Sequence, residues 1–242
     1  NMQNKSVGIM RWAPTVDLCR DPRWGRNEEG YGEDPYLTGK MAGAYIEGMQ
    51  DEHNYDGSEI KAGERGDRIR VGTTLKHFYA NNVEWRRCAD SVDVPEKVKY
   101  DYELEPYRYC IEDSHAEAVM TAYNGVNGTT CILNDEVSKI LKDKWGLKHA
   151  VCDYGAFTHT VTLHKDFDNY ADTFAVSVKA GVDNMLDNAE TVHNGAVEAY
   201  KRGLITEAEI DKSLICMFDS RVRTGEFDEV DPYAQLGEKD LG

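Results

Sequence analysis

Short runs rich in apolar and β-branched residues alternate along the chain with segments whose apolar positions recur at helical spacing. Five runs read as strands, over 7–12, 73–78, 118–123, 150–152 and 184–186. Each is followed by polar residues carrying Gly or Asn, and then by a helical pattern. That order of strand, loop and helix favours βα units around a mainly parallel sheet. The first helix follows Gly32-Glu33-Asp34-Pro35, and its apolar stripe reads Leu37, Met41, Ala44, Tyr45 and Met49. Asn134 is placed to cap a helix carrying Val137, Ile140 and Leu141, which Gly146 ends. Thr206 and Glu209 form a capping box for a helix bearing Ile210, Leu214, Met217 and Phe218, closed by Gly225. Pro106 opens a fresh helix rather than interrupting one. The segment 51–68 has almost no apolar content and reads as an exposed loop. Periodicity is lost after Gly225, in EFDEVDPYAQLG, which reads as an exit linker.

Composition narrows the partners. The 242 residues are 40% apolar, enough to bury a core, and carry a net charge of -16 from 44 acidic against 28 basic side chains. A phosphate backbone demands clustered Lys and Arg, so nucleic acid is excluded as a partner, as is an anionic membrane. No apolar run reaches the roughly 20 residues that span a bilayer. Cys19, Cys88, Cys110, Cys131, Cys152 and Cys216 show no Cys-x-x-Cys pair and no zinc-finger spacing. Buried thiols in a reducing, cytoplasmic compartment are expected, with neither metal nor cofactor. Nucleotide-binding glycine motifs, His-Glu-x-x-His and the Gly-x-Ser-x-Gly elbow are all missing from the sequence.

Candidate chemistry gathers at strand ends. Asp153 closes the run AVCDYGA, where a carboxylate would point into a common mouth and Gly155 would allow a ligand close approach. On spacing alone it is a nucleophile or a helix cap with equal force. Lys76 and His77, in TTLKHF, offer a cation and an imidazole side by side. Arg26 stands in DPRWGRNEE, where Asp21, Arg23 and Glu33 are placed to brace the loop by ion pairs. Tyr123 and Asn124 end the third strand. Trp12 and Trp24 could offer flat apolar faces to a ligand, although aromatics in such runs more often belong to the core.

The stretch WAPTVDLCRDPRWGRNEEGYGEDPYL, from Trp12 to Leu37, resembles the signature of glycoside hydrolase family 3. These are retaining enzymes that release sugars from the non-reducing ends of β-linked saccharides. The resemblance runs nearly the whole length of the chain, over the middle and end of the family's barrel domain. It implies a (β/α)8 TIM-barrel-like catalytic domain, here a partial barrel lacking its first strands over 1–225. It also implies that 226–242 leads toward an α/β sandwich domain outside this sequence. Asp153 would be the nucleophile, with Cys152 and Tyr154 replacing the family's commoner neighbours and altering the pocket wall. Arg26, Lys76, His77 and Tyr123 would hold the terminal sugar.

A retaining glycosidase also needs a second carboxyl group about 5 to 5.5 Å from the nucleophile. None is legible in the sequence. By the resemblance it would be a Glu supplied by a second domain or chain. Asp113-Ser114-His115 is superficially like a motif of one family branch, yet sits at a helix end and reads as coincidence. The expected function is release of terminal β-D-glucosyl residues from β-linked oligosaccharides or glycosides. The alternatives are a β-xylosidase of the same family, a non-catalytic sugar-binding module, and an unrelated barrel enzyme using Lys76 as a Schiff base.

Overall fold

The computed structural model describes residues 9–62, 64–229, 237 and 239. The first two positions of the strand expected over 7–12, and most of the expected linker 226–242, lie outside the described residues.

The framework is a parallel sheet of β1 (Met10–Arg11), β2 (Gly72–Phe78), β4 (Ala118–Thr121) and β7 (His149–Cys152), in the order β1-β2-β4-β7. Asn184 extends it by a parallel bridge to Val151, so the five expected strand positions lie side by side in chain order. The run 184–186 makes that single bridge and no regular strand. β2, β4 and β7 read as continuous apolar runs because both faces are covered: Leu75, Phe78, Val119 and Ala150 are all fully buried. Each large side chain so placed contributes roughly 1.5–3 kcal/mol. The result is the TIM-barrel-like α/β fold expected from the sequence.

Helix α1 (Pro35–Gln50) follows Gly32-Glu33-Asp34 as expected, and the structure adds a cap, Asp34 accepting from the Leu37 amide at 2.6 Å. Its buried face, however, is Thr38, Gly39, Ala42, Gly43, Ile46 and Gln50. The expected stripe of Leu37, Met41, Ala44 and Tyr45 faces solvent. Close approach decides the matter: a Cβ on Gly39 would stand 2.9 Å from the Tyr109 side chain, and one on Gly43 2.5 Å from Ser114. Small residues therefore mark the packed side. Beyond β3 (Ser91–Val92), the chain is helical in α2 (Glu96–Val98), a π turn over Lys99–Glu103, α3 (Glu105–Arg108) and a second π turn over Tyr109–Asp113. Pro106 stands in the first turn of α3, as expected.

Asn134 accepts from the Glu136 amide at 3.0 Å ahead of the helical turns Val137–Lys142. Gly146, at φ 79°, stops them. A small sheet missed by the periodicity pairs β3 with β5 (Gly125–Val126), which forms a hairpin with β6 (Thr129–Thr130). Asn127 and Gly128 turn it with positive φ, the Asn-Gly signal of a tight hairpin. After β7 come α4 (Ala156–Thr162), α5 (Tyr170–Ala180), α6 (Ala189–Lys201) and α7 (Glu207–Arg223).

The capping box of α7 forms as predicted, but the helix buries Ser213, Ser220 and Arg223 while Leu214 and Phe218 face solvent. Its underside is polar because it meets a buried charge. Glu117, fully buried just before β4, accepts from Arg223, from Arg65 at 3.1 Å and from Ser220 at 2.8 Å. Arg65 also pairs with Glu52 at 3.2 Å, and His53 bridges Arg68. The loop 51–68 is thus largely exposed, as expected, yet pinned at its far end to the N-terminal ends of the strands.

Candidate active site

The opposite, C-terminal ends of the strands collect the polar residues flagged in the sequence. Asp153 follows β7 directly, its amide donating to the Thr121 carbonyl at 3.1 Å. Asp153 Oδ1 accepts from the Tyr154 amide at 2.8 Å, and Gly155 then enters a left-handed turn at φ 86°. The carboxylate retains partial exposure, at 16%, and its Oδ2 lies 3.7 Å from Nε2 of His77. It is held in place while partly open to solvent. It does not cap the first amide of α4 with its side chain.

His77 and Lys76 come from β2, where the chain bulges between Leu75 and Phe78 and the Lys76–His77 and Phe78–Tyr79 peptides are cis. The two side chains take different partners. His77 is almost wholly buried; its backbone amide donates to Asp17 Oδ2 at 3.0 Å, and its ring Nδ1 stands 2.8 Å from the same oxygen. Lys76 Nζ lies 3.9 Å from Glu29. Arg26 grips the same Glu29 with two parallel hydrogen bonds of 2.6 and 2.8 Å, a geometry suited to its planar fork. Those bonds, with Lys76 behind them, hold the Glu29 carboxyl below the usual carboxylate range against its partial burial.

Tyr123, just after β4, donates its hydroxyl to the Tyr154 carbonyl at 2.8 Å. Burial first, and then the Asp153 carboxylate, push its phenol up, so the ring stays neutral beside the carboxylate. Arg87 lies over the same ring, 5.0 Å from its centroid, and reaches Glu84 at 3.3 Å. Glu84 in turn accepts from the Trp24 indole at 3.0 Å. The loop after β2 therefore borders the mouth.

Asp153, His77 and Tyr123 meet at one point, and Lys76 and Arg26 stand together on Glu29. Sequence reasoning named these five and missed Asp17 and Glu29, the carboxylates that hold them. The available signal for Asp17 was a charged residue set between two apolar ones in Val16-Asp17-Leu18. Several side readings need correction. Trp24 is buried, whereas Trp12 is half exposed. Asp21 and Arg23 do pair, at 2.6 Å, but Glu33 makes no ion pair among the described residues. Cys152 is fully buried, its thiol pushed up to about 12 by burial, so it lies behind the wall of the mouth; exposed Tyr154 stands at the rim. Asp113, Ser114 and His115 bond to Lys40, Glu47 and Glu52 before β4, at the other end of the strands from Asp153.

Known proteins share both sequence and fold with this chain. A family model described as the glycosyl hydrolase family 3 N-terminal domain matches residues 3–217. Beta-D-xylosidase 3 of Arabidopsis thaliana is 35% identical over 98% of this chain and 30% of its own length. A periplasmic beta-glucosidase of Salmonella typhimurium is 34% identical over 96% of this chain and 28% of its own. Among solved structures, a GH3 exo-beta-xylosidase in complex with a xylobiose aziridine probe superposes with a TM-score of 0.81 at 25% identity, covering 93% of this chain and 29% of its own. Beta-glucosidase 3B from Thermotoga neapolitana in complex with glucose gives 0.71 at 28% identity, covering 88% and 27%. The chain spans about 30% of the length of the curated relatives it matches.

Proposed function

The chain belongs to glycosyl hydrolase family 3, and from that premise we propose that it carries the nucleophile half of a retaining β-glycosidase site. The observation that carries the reading is the open Asp153 carboxylate, 3.7 Å from a buried imidazole and beside the Tyr123 ring. An Asp153 oxygen attacks the anomeric carbon, the bond to the aglycone oxygen breaks with its electron pair leaving on that oxygen, and a glycosyl ester forms. Lys76, His77 and Arg26 bind hydroxyls of the terminal sugar. Water then hydrolyses the ester.

Carboxylates around this centre are already engaged: Asp17 with His77, Glu29 with Arg26, Glu84 with Trp24 and Asp187 with the Thr158 amide. That supports an acid/base contributed from another domain or chain. The substrate class is a terminal β-D-glucosyl residue or, as the alternative, a xylosyl one; the two curated relatives named above divide between these sugars.

A 2-deoxy-2-fluoro-β-glucosyl donor with a dinitrophenolate leaving group tests the proposal on this chain, since that group departs without a proton. The expected result is a mass gain of one fluoroglycosyl group, mapped to Asp153. The xylosyl analogue run beside it compares the two sugars. Reversible sugar binding with no covalent adduct would favour a non-catalytic module, and an adduct on any other residue would refute the assignment.

A further inference from the structure

Asp17 is 4% exposed and lies between buried Val16 and Leu18. A single oxygen, Oδ2, receives both the His77 backbone amide and the ring Nδ1. An ionised carboxylate can only accept hydrogen bonds, so this contact keeps a proton on Nδ1. The remaining nitrogen, Nε2, faces Asp153 Oδ2 at 3.7 Å. The charged groups acting on the ring are Asp17, Asp153 and Glu29.

We infer that Asp17 is a positioning residue that fixes the neutral His77 ring with its proton on Nδ1, leaving Nε2 as a bare acceptor toward the mouth. The inference rests on the sugar-site reading given above. An imidazole left to water favours the other tautomer, with the proton on Nε2. Here that proton would point at Asp153 Oδ2 and tie down an oxygen required for attack. Holding the proton on Nδ1 leaves that oxygen free and presents Nε2 to a sugar hydroxyl, which donates to it.

The test is nitrogen NMR of the chain labelled with 15N-histidine, with His77 assigned among the seven histidines by loss of its signals in His77→Gln. The expected result is that Nδ1 stays in the protonated range between about pH 5 and 8. A bare Nδ1 anywhere in that span overturns the inference. Asp17→Asn keeps an acceptor oxygen where the backbone amide demands one, so it should retain the pattern. Asp17→Leu should move the proton to Nε2; a retained Nδ1 proton there refutes the role of Asp17. If the leucine variant does not fold, the wild-type and asparagine spectra decide. Loss of a charge-assisted bond of this kind should also slow fluoroglycosyl labelling by about tenfold or more. A wild-type chain that takes no label at all counts against the hydrolase reading and leaves the tautomer result standing.

Discussion

His149 opens β7 as a buried residue, and neither ring nitrogen has a hydrogen-bond partner among the described residues. Burial, with the nearby Lys142 charge added, lowers its pKa from 6.5 to about 4. The sign follows from linkage. The unfolded chain takes up a proton near pH 6.5 while the folded chain resists it until about 4, so stability is lost as pH falls through that window. At about 1.4 kcal/mol per pH unit, the whole effect approaches roughly 3 kcal/mol below pH 4 and about 2 kcal/mol between pH 7 and 5.

His149→Leu removes the titrating group and the two unpartnered nitrogens at similar volume. Urea unfolding of both chains at pH 7, 6 and 5 should show the wild-type stability falling relative to the variant by about 2 kcal/mol. Glu52, lowered to about 2, titrates outside this range, whereas Asp183 and Glu103 are raised by burial and oppose the slope. Because those carboxyls are present in both chains, the comparison cancels them to first order. A difference below about 0.5 kcal/mol would mean that His149 is solvated or partnered in solution, and the argument from burial would fail.

Three further outcomes follow from the site and its support. Asp153→Gly should abolish turnover of a dinitrophenyl β-glycoside, and azide should restore part of it by attacking the anomeric carbon from the vacated volume; unchanged turnover removes the nucleophile assignment. Glu29→Gln frees Arg26 and Lys76 from their shared carboxylate and, with that side chain one-third exposed, should weaken glucose or xylose binding several-fold, about 1 kcal/mol, as read by titration calorimetry. Glu117→Ala strands Arg223 and Arg65 at a buried position and should cost about 3–5 kcal/mol in urea unfolding, against total stabilities of about 5–15 kcal/mol; a cost below about 1 kcal/mol would show the clamp to be dispensable.

What the sequence reveals and what it conceals divide along a physical line. Strands β2, β4 and β7 were legible because burial on both faces leaves an unbroken apolar run, and the candidate site residues because they stand where those runs stop. The helix ends at Thr206 and Gly225 were legible because caps are local, set within three or four residues. Helix faces were not. The packed sides of α1 and α7 are chosen by close approach at Gly39 and Gly43 and by the buried charge on Glu117, and neither constraint writes an apolar stripe.

Charge pairing is the most concealed of all, because it joins residues distant in the chain: Asp17 lies 60 positions from His77, and Glu117 lies 106 from Arg223. A cation at a strand end announces itself, since burying it alone would cost several kcal/mol, but any of 44 acidic residues could answer it. The fold makes the choice by bringing Thr15 beside Lys76 in a parallel bridge. That contact carries Asp17 under His77, and the same peptide continues into the loop that delivers Glu29 to Arg26 and Lys76. The Trp-Ala-Pro segment therefore has two tasks, extending the sheet and carrying the counter-ions of its neighbour, and the second becomes visible only after the first has been built.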